Sequence, residues 1–149
     1  MNLTKMVQLH IMLIEDNPGD ITLIQDLLEE KQANFRLTIA EDGAKAMKYF
    51  EKARLDVKHD LPDLIILDLN LPHKNGIEIL ESIKKDSILK RIPVIVLTSS
   101  QDKRDIIATY HLHANCYLKK PTNIEDFHRL ITLINDFWLG EVVYPTHGL

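Results

Sequence analysis

The stretch Leu61-Pro-Asp-Leu-Ile-Ile-Leu-Asp-Leu-Asn-Leu-Pro72, "LPDLIILDLNLP", places four consecutive apolar residues, Leu64 to Leu67, directly before Asp68. A short apolar run without alternation reads as a strand buried on both faces, as in a parallel sheet covered by helices. A carboxylate at the mouth of such a strand is costly unless something pairs with it. Asp68 therefore needs a partner, and the rest of the chain must supply it.

Working outward, strand-like and helix-like segments alternate with little spare loop. His10 to Ile14 is an apolar run ending in Glu15-Asp16. Asn17 reads as the N-cap of a first helix, with Pro18 at its first position and Ile21, Ile24, Leu27 and Leu28 on one face. Phe35 to Ala40 is a second strand. Asp42-Gly43 caps a second helix with Ala44, Met47, Phe50 and Ala53 on a shared face. After the third strand, Asn75-Gly-Ile-Glu78 resembles a capping box for a helix burying Ile79, Leu80 and Ile83. Val94 to Thr98 forms the fourth strand, behind Pro93. A helix from about Asp102 to His111, a fifth strand around Cys116 to Leu118 and a last helix to about Leu139 complete the pattern. Thr122-Asn-Ile-Glu125 is the expected capping box of that last helix, and Pro145 and Gly148 suggest a loose tail over 140–149.

Five strands alternating with five helices predict an α/β fold, a parallel sheet covered on both faces. Right-handed crossovers favour a doubly wound arrangement with strand order 2-1-3-4-5. Ligands in such folds bind beyond the carboxyl ends of the strands. Glu15-Asp16, Asp68, Thr98-Ser99 and Lys119-Lys120 lie at those ends. Clustered carboxylates need a cation, and oxygen donors without His or Cys suit a hard one, foremost Mg2+. With a hydroxyl from Thr98 and an ammonium from Lys120, the chemistry is phosphoryl transfer with Asp68 as acceptor. Any one of these residues alone reads as a cap or surface charge; the set at one rim makes the functional reading the stronger.

Composition bounds the alternatives. The 149 residues are 45% apolar and 27% charged, consistent with one domain. A net charge of −4 argues against general nucleic-acid binding. Cys116 is the single cysteine, so no intrachain disulfide is possible. No apolar stretch approaches the roughly 18 residues that span a bilayer, and the N-terminus lacks a signal core; the expected location is the cytoplasm. His111, His113 and Cys116 lack a fourth ligand at standard spacing and read as structural. His10 reads as a packed, hydrogen-bonded core histidine, and His59, His73, His128 and His147 as surface residues.

The segments "LIEDNPGD" (13–20), "DLIILDLNLPHKNG" (63–76), "PVIVLTSS" (93–100) and "YLKKP" (117–121) resemble the receiver domain of two-component response regulators. The resemblance covers about residues 8 to 138, and the domain is placed at 8–139. "LKRIPVIVLTSS", "HLHANCYLKK" and "INDFWL" are similar to the stand-alone regulators that partner bacterial phytochromes. The resemblance implies a flavodoxin-like receiver fold and a phosphoacceptor role for Asp68, served by a histidine kinase, specifically a phytochrome-type light sensor. It implies that Glu15, Asp16, Asp68 and the backbone carbonyl of Asn70 hold Mg2+. Thr98 becomes the switch hydroxyl, Tyr117 the switch aromatic and Lys120 the phosphate-binding lysine, favoured over Lys119 by Pro121. The Lys120–Pro121 bond is often cis in that family, Ser99 stands where many receivers have alanine, and Asn70 and Ser100 occupy positions that tune phosphate lifetime there. Such a chain catalyses only its own phosphorylation and dephosphorylation. With no room for a DNA-binding domain after residue 139, its output is expected through protein binding or phosphorelay.

The last helix carries a second implication. Ile124, Phe127, Leu130, Ile131 and Ile134 form a core stripe that Leu133, Phe137, Trp138 and Leu139 widen. Ordinary packing accounts for part of it. The width, and the resemblance, imply a homodimer through the last helix, fifth strand and C-terminal segment. Two other readings are open. A haloacid-dehalogenase-type enzyme also attacks with a strand-end Asp, but it usually has an acid where Asn70 stands. A flavodoxin-like cofactor binder needs a phosphate loop where Glu15 and Asp16 stand.

Overall fold

The computed structural model describes residues 8–30, 34–55 and 60–145. The readings made for His59, His147, Gly148 and the first seven residues lie outside them. Strands β1 (Leu9–Ile14), β2 (Phe35–Ala40), β3 (Leu64–Leu67), β4 (Val94–Thr98) and β5 (Cys116–Lys119) alternate with helices. The helices are α1 (Pro18–Glu30), α2 (Gly43–Leu55), α3 (Gly76–Lys85), α4 (Lys103–His111) and α5 (Ile124–Ile134). The strands form one parallel sheet in the order β2-β1-β3-β4-β5, as predicted.

The pleat sorts the apolar runs into two cores. Met12, Ile14, Ile65, Leu67, Val94 and Val96 face α2 and α3, where Ala46, Phe50, Ile79, Leu80 and Ile83 meet them. Ile11, Leu13, Leu64, Ile66, Ile95 and Leu97 face the other way, against Ile24 and Leu28 of α1 and Phe127, Ile131 and Ile134 of α5. Burial on both faces is why β3 reads as an unbroken apolar run.

Helix starts follow local chemistry. Asn17 Oδ1 accepts from Asp20 N at 3.0 Å, and Asp42 Oδ1 accepts from Lys45 N at 2.8 Å. Asn75 Oδ1 accepts from Ile77 N at 2.7 Å. For α5 the expected cap is displaced by one residue. Asn123, not Thr122, is the N-cap, its Oδ1 accepting from Asp126 N at 2.8 Å while its amide donates to the Asp126 carboxylate.

Other expectations are corrected. Ala44 is exposed and Ala46 is buried in its stead, because α2 turns its Gly43, Ala46, Phe50 and Ala53 edge to the sheet. Ile124, expected in the core stripe, is 73% exposed, while Phe127, Ile131 and Ile134 make the buried face of α5. After Ile134 the helix widens into a π-type turn over Asn135–Leu139. The following segment is not loose throughout: Tyr144 is buried in the α1/α5 core, and its hydroxyl donates to Trp138 O at 2.5 Å. The Lys120–Pro121 bond, often cis in the family that the sequence resembles, is trans, and no described peptide bond is cis.

His10 is buried as expected. Its Nε2 lies 2.7 Å from Thr38 Oγ1, and Asp63 accepts from its backbone N–H at 2.9 Å. Burial, and then the Arg36 charge, hold its pKa below the usual histidine value. His10 is therefore a neutral structural residue at the amino end of the sheet, remote from the strand ends where the acids gather.

Candidate functional site

Backbone hydrogen bonds carry the parallel ladder one residue past the strand ends. Glu15 N donates to Ala40 O at 3.0 Å, Asp68 N to Ile14 O at 3.0 Å, and Lys120 N to Thr98 O at 2.8 Å. These bonds bring Glu15, Asp68, Thr98 and Lys120 to a single rim. The side chains of Glu15, Asp68 and Thr98 are buried, at 1%, 5% and 0% exposure, and Lys120 is 9% exposed. Asp16 and Asn70 stand at the exposed lip. A cleft of about 580 Å³ opens above them, lined among others by Asp16, Asp20, Asp68, Asn70, Ser99 and Lys120.

Lys120 is the hub. Its Nζ donates to Glu15 Oε1, to Asp20 Oδ2 at 2.8 Å and to Asp68 Oδ2 at 3.1 Å. An ammonium has three N–H donors, and each has a carboxylate. Lys119 is exposed on the opposite side of β5. The alternation of a strand decides between the two lysines, and it sends Lys120 to the acids. Asp68 Oδ1 accepts from Asn70 N at 3.1 Å, which orients the carboxylate.

The charges are tightly coupled. Burial, followed by the hydrogen bond with Asp68, pushes Glu15 up to about 8. Burial also opposes ionisation of Asp68, but the Glu15 hydrogen bond, the Lys120 charge and the Asn70 N–H outweigh it, so its pKa lies below the usual carboxylate value. Lys120 is likewise raised: burial opposes its charge, and the Asp20 and Glu15 hydrogen bonds and the Asp68 charge override that. The resting cluster therefore keeps Asp68 ionised.

Among the described residues, Glu15, Asp16 and Asp68 are the one group of three side chains suited to a metal, with ligand oxygens within 4.8 Å of one another. Carboxylate oxygens without His or Cys fit a hard divalent cation. His111, His113 and Cys116 do not gather. Thr98 Oγ1 lies 3.4 Å from both the Asn70 amide and Ser100 N, contacts too long to hold it firmly. Tyr117, half-buried, donates from its hydroxyl to Ser100 O at 2.8 Å.

A family model for the response regulator receiver domain matches residues 11–132. The chain belongs to this family. Response regulator Rcp1 of Synechocystis sp. is 43% identical over 135 residues, covering 91% of this chain and 92% of its own length. The crystal structure of the phosphorylated cyanobacterial phytochrome response regulator RcpA has a TM-score of 0.85 at 41% identity, covering 93% of this chain and 99% of that one. The Mn2+-bound form of Rcp1 has a TM-score of 0.84 at 42% identity, over 91% of this chain and 98% of that one. Receivers are signalling switches that bind a divalent metal, and the acidic trio of this receiver fits one.

Two residues of this receiver escaped the sequence reading. In the sequence Asp20 stands out only as the last residue of a motif, yet in the structure it holds Lys120. The available signal was its place in the first turn of α1, which begins at the strand-end rim. Gly76 was read as part of a cap, but a Cβ there would lie 2.5 Å from both Asp68 O and Leu69 Cα. It is the contact that lets α3 start directly against the loop carrying Asp68 and Asn70.

Proposed function

We propose that this receiver is a single-domain response regulator phosphorylated on Asp68 by a histidine kinase of the phytochrome type, with Mg2+ as the cation. The observation that carries the reading is the Asp68 carboxylate, ionised at the end of β3, 3.1 Å from Lys120 Nζ and beside Glu15 and Asp16 below an open cleft. A carboxylate oxygen of Asp68 forms the new O–P bond as the N–P bond of the donor phosphohistidine breaks and the imidazole leaves. Lys120 stabilises charge on the transferring oxygens. Glu15, Asp16, Asp68 and the Asn70 carbonyl would hold the cation, which supplies further positive charge when bound.

The weak contacts of Thr98 leave its hydroxyl able to turn toward a phosphoryl oxygen. Tyr117, tied to Ser100 O, is the aromatic that responds, so a local charge event biases a two-state element. Residues 8–139 act as the receiver domain and 140–149 as a C-terminal segment, in the cytoplasm. No helix among the described residues is long and apolar enough to cross a membrane. The output is binding to another protein or onward phosphorelay.

The test is incubation with acetyl phosphate and magnesium, followed by intact-protein mass spectrometry. Wild type is expected to gain one phosphoryl group and Asp68→Asn none; equal gain by both would overturn the assignment. Purified phytochrome kinase should then transfer its phosphoryl group to wild type alone.

The same reading includes a homodimer through α5, β5 and the C-terminal segment. Leu133 and Phe137 are 59% and 55% exposed on α5 and the turn that follows, more apolar surface than a helix packed only on its own sheet needs. Light scattering should give a dimeric mass for wild type and a monomeric one for the Leu133→Glu, Phe137→Glu double variant. A wild-type monomer at all accessible concentrations, with and without acetyl phosphate, would refute it.

A further inference from the structure

We propose that Asp20 is a positioning residue for phosphoryl transfer, holding the Lys120 ammonium at Asp68 through the reaction. The inference rests on the reading of Asp68 as phosphoacceptor. Lys120 has three carboxylate acceptors, and two of them have other tasks. Glu15 and Asp68 both belong to the oxygen trio that fits a cation, and Asp68 is also the group that reacts. Asp20 lies outside that trio, and among the described residues the partner of its carboxylate is Lys120, at 2.8 Å.

Asp20 is itself held firmly. Its backbone N–H donates to Asn17 Oδ1 at 3.0 Å, and it sits in the first turn of α1, so its carboxylate leaves a rigid element. An acid in a first helical turn also favours the helix dipole, which is the ordinary reading of such a residue. That role works equally well with the carboxylate in water. It does not explain an ion pair with a lysine 100 residues away at the floor of the cleft. When Asp68 carries a phosphoryl group, the N–H now directed at Asp68 Oδ2 can turn to a phosphoryl oxygen. The N–H on Asp20 keeps its acceptor, and the ammonium keeps its place.

Phosphorylation rates at saturating acetyl phosphate and magnesium test this in wild type, Asp20→Ala, Lys120→Met and the double variant. Asp20→Ala should slow the reaction roughly tenfold, the scale of losing a residue that orients a reacting group. In the Lys120→Met background the same change should alter the rate less than about twofold, because Asp20 acts through Lys120. A wild-type rate for Asp20→Ala, or the same loss in both backgrounds, would overturn the proposal. A metal-free readout stands apart from the reaction. The Lys120 ammonium should give a slowly exchanging NMR resonance, identified by its absence in Lys120→Met, that Asp20→Ala broadens away; its persistence there would also count against the proposal. If wild type gains no phosphoryl group, the reading of Asp68 fails, and the resonance still decides whether Asp20 holds Lys120.

Discussion

Lys120→Met is expected to slow phosphorylation of Asp68 by roughly 100-fold or more, the loss typical of removing one charge-stabilising donor from a site where charge moves. Lys120 supplies the one ammonium shared by Glu15, Asp20 and Asp68. Methionine keeps the length and volume of the stem but leaves those carboxylates facing each other at a buried rim. They would respond by taking up protons, and a protonated Asp68 is a poor nucleophile. Stability changes too. Stranding one partner of a buried ion pair costs about 3–5 kcal/mol. Asp20, partly exposed, can be served by water, and Glu15 already favours its proton, so the observed loss should lie toward the lower end. Mass-spectrometric rates and a chemical denaturation curve check both claims. Phosphorylation within tenfold of wild type would show that the ammonium is not central.

Gly76→Ala is expected to disable the site from outside it. The added Cβ would lie 2.5 Å from Asp68 O and from Leu69 Cα, both backbone atoms, and 3.1 Å from Leu69 Cδ2. Backbone cannot rotate away as a side chain can. Either the start of α3 or the loop carrying Asp68 must therefore move. Gly76 N also donates to Leu69 O at 2.9 Å, a bond that this movement would strain. Overpacking of this kind costs about 1–3 kcal/mol, and a 1 Å displacement of a reacting group can cost roughly 100-fold in rate. Gly43→Ala is the control. Its Cβ would meet side-chain atoms of the buried Ile79 and of Lys74 and no backbone of the Asp68 loop, so it should cost stability in the core while phosphorylation survives. If Gly76→Ala reacts at the wild-type rate with wild-type stability, the close approach has no functional weight.

Much of this was legible before any coordinates. Val94–Thr98 is predicted with the bounds observed because burial on both faces makes it apolar and Pro93 marks its entry, and Phe35–Ala40, a partly buried edge strand, because its apolar residues alternate with Arg36 and Thr38. The strand ends could be named, and so could the acids, hydroxyl and lysine standing there. Choices of one residue were not legible. Asn123 displaces Thr122 as a cap, Ala46 displaces Ala44 in the core, and Ile124 turns outward. Each depends on the angle at which a helix meets the sheet, which neighbouring elements decide. Tyr144 likewise looked like tail sequence until the surface it covers was present.

The sequence by itself determined the elements, their order, and the chemistry available at the strand ends. Periodicity and turn residues are local, and a parallel sheet with right-handed crossovers leaves few ways to arrange them. Only the tertiary structure decided who shares the Lys120 ammonium. Glu15, Asp20 and Asp68 are 105, 100 and 52 residues from it along the chain. Their meeting comes from ladder bonds that extend past the strands and from the start of α1 over the rim. A carboxylate in a helix's first turn satisfies the dipole whichever way it points, so no local rule could have turned Asp20 inward. The lysine at the end of β5 did that.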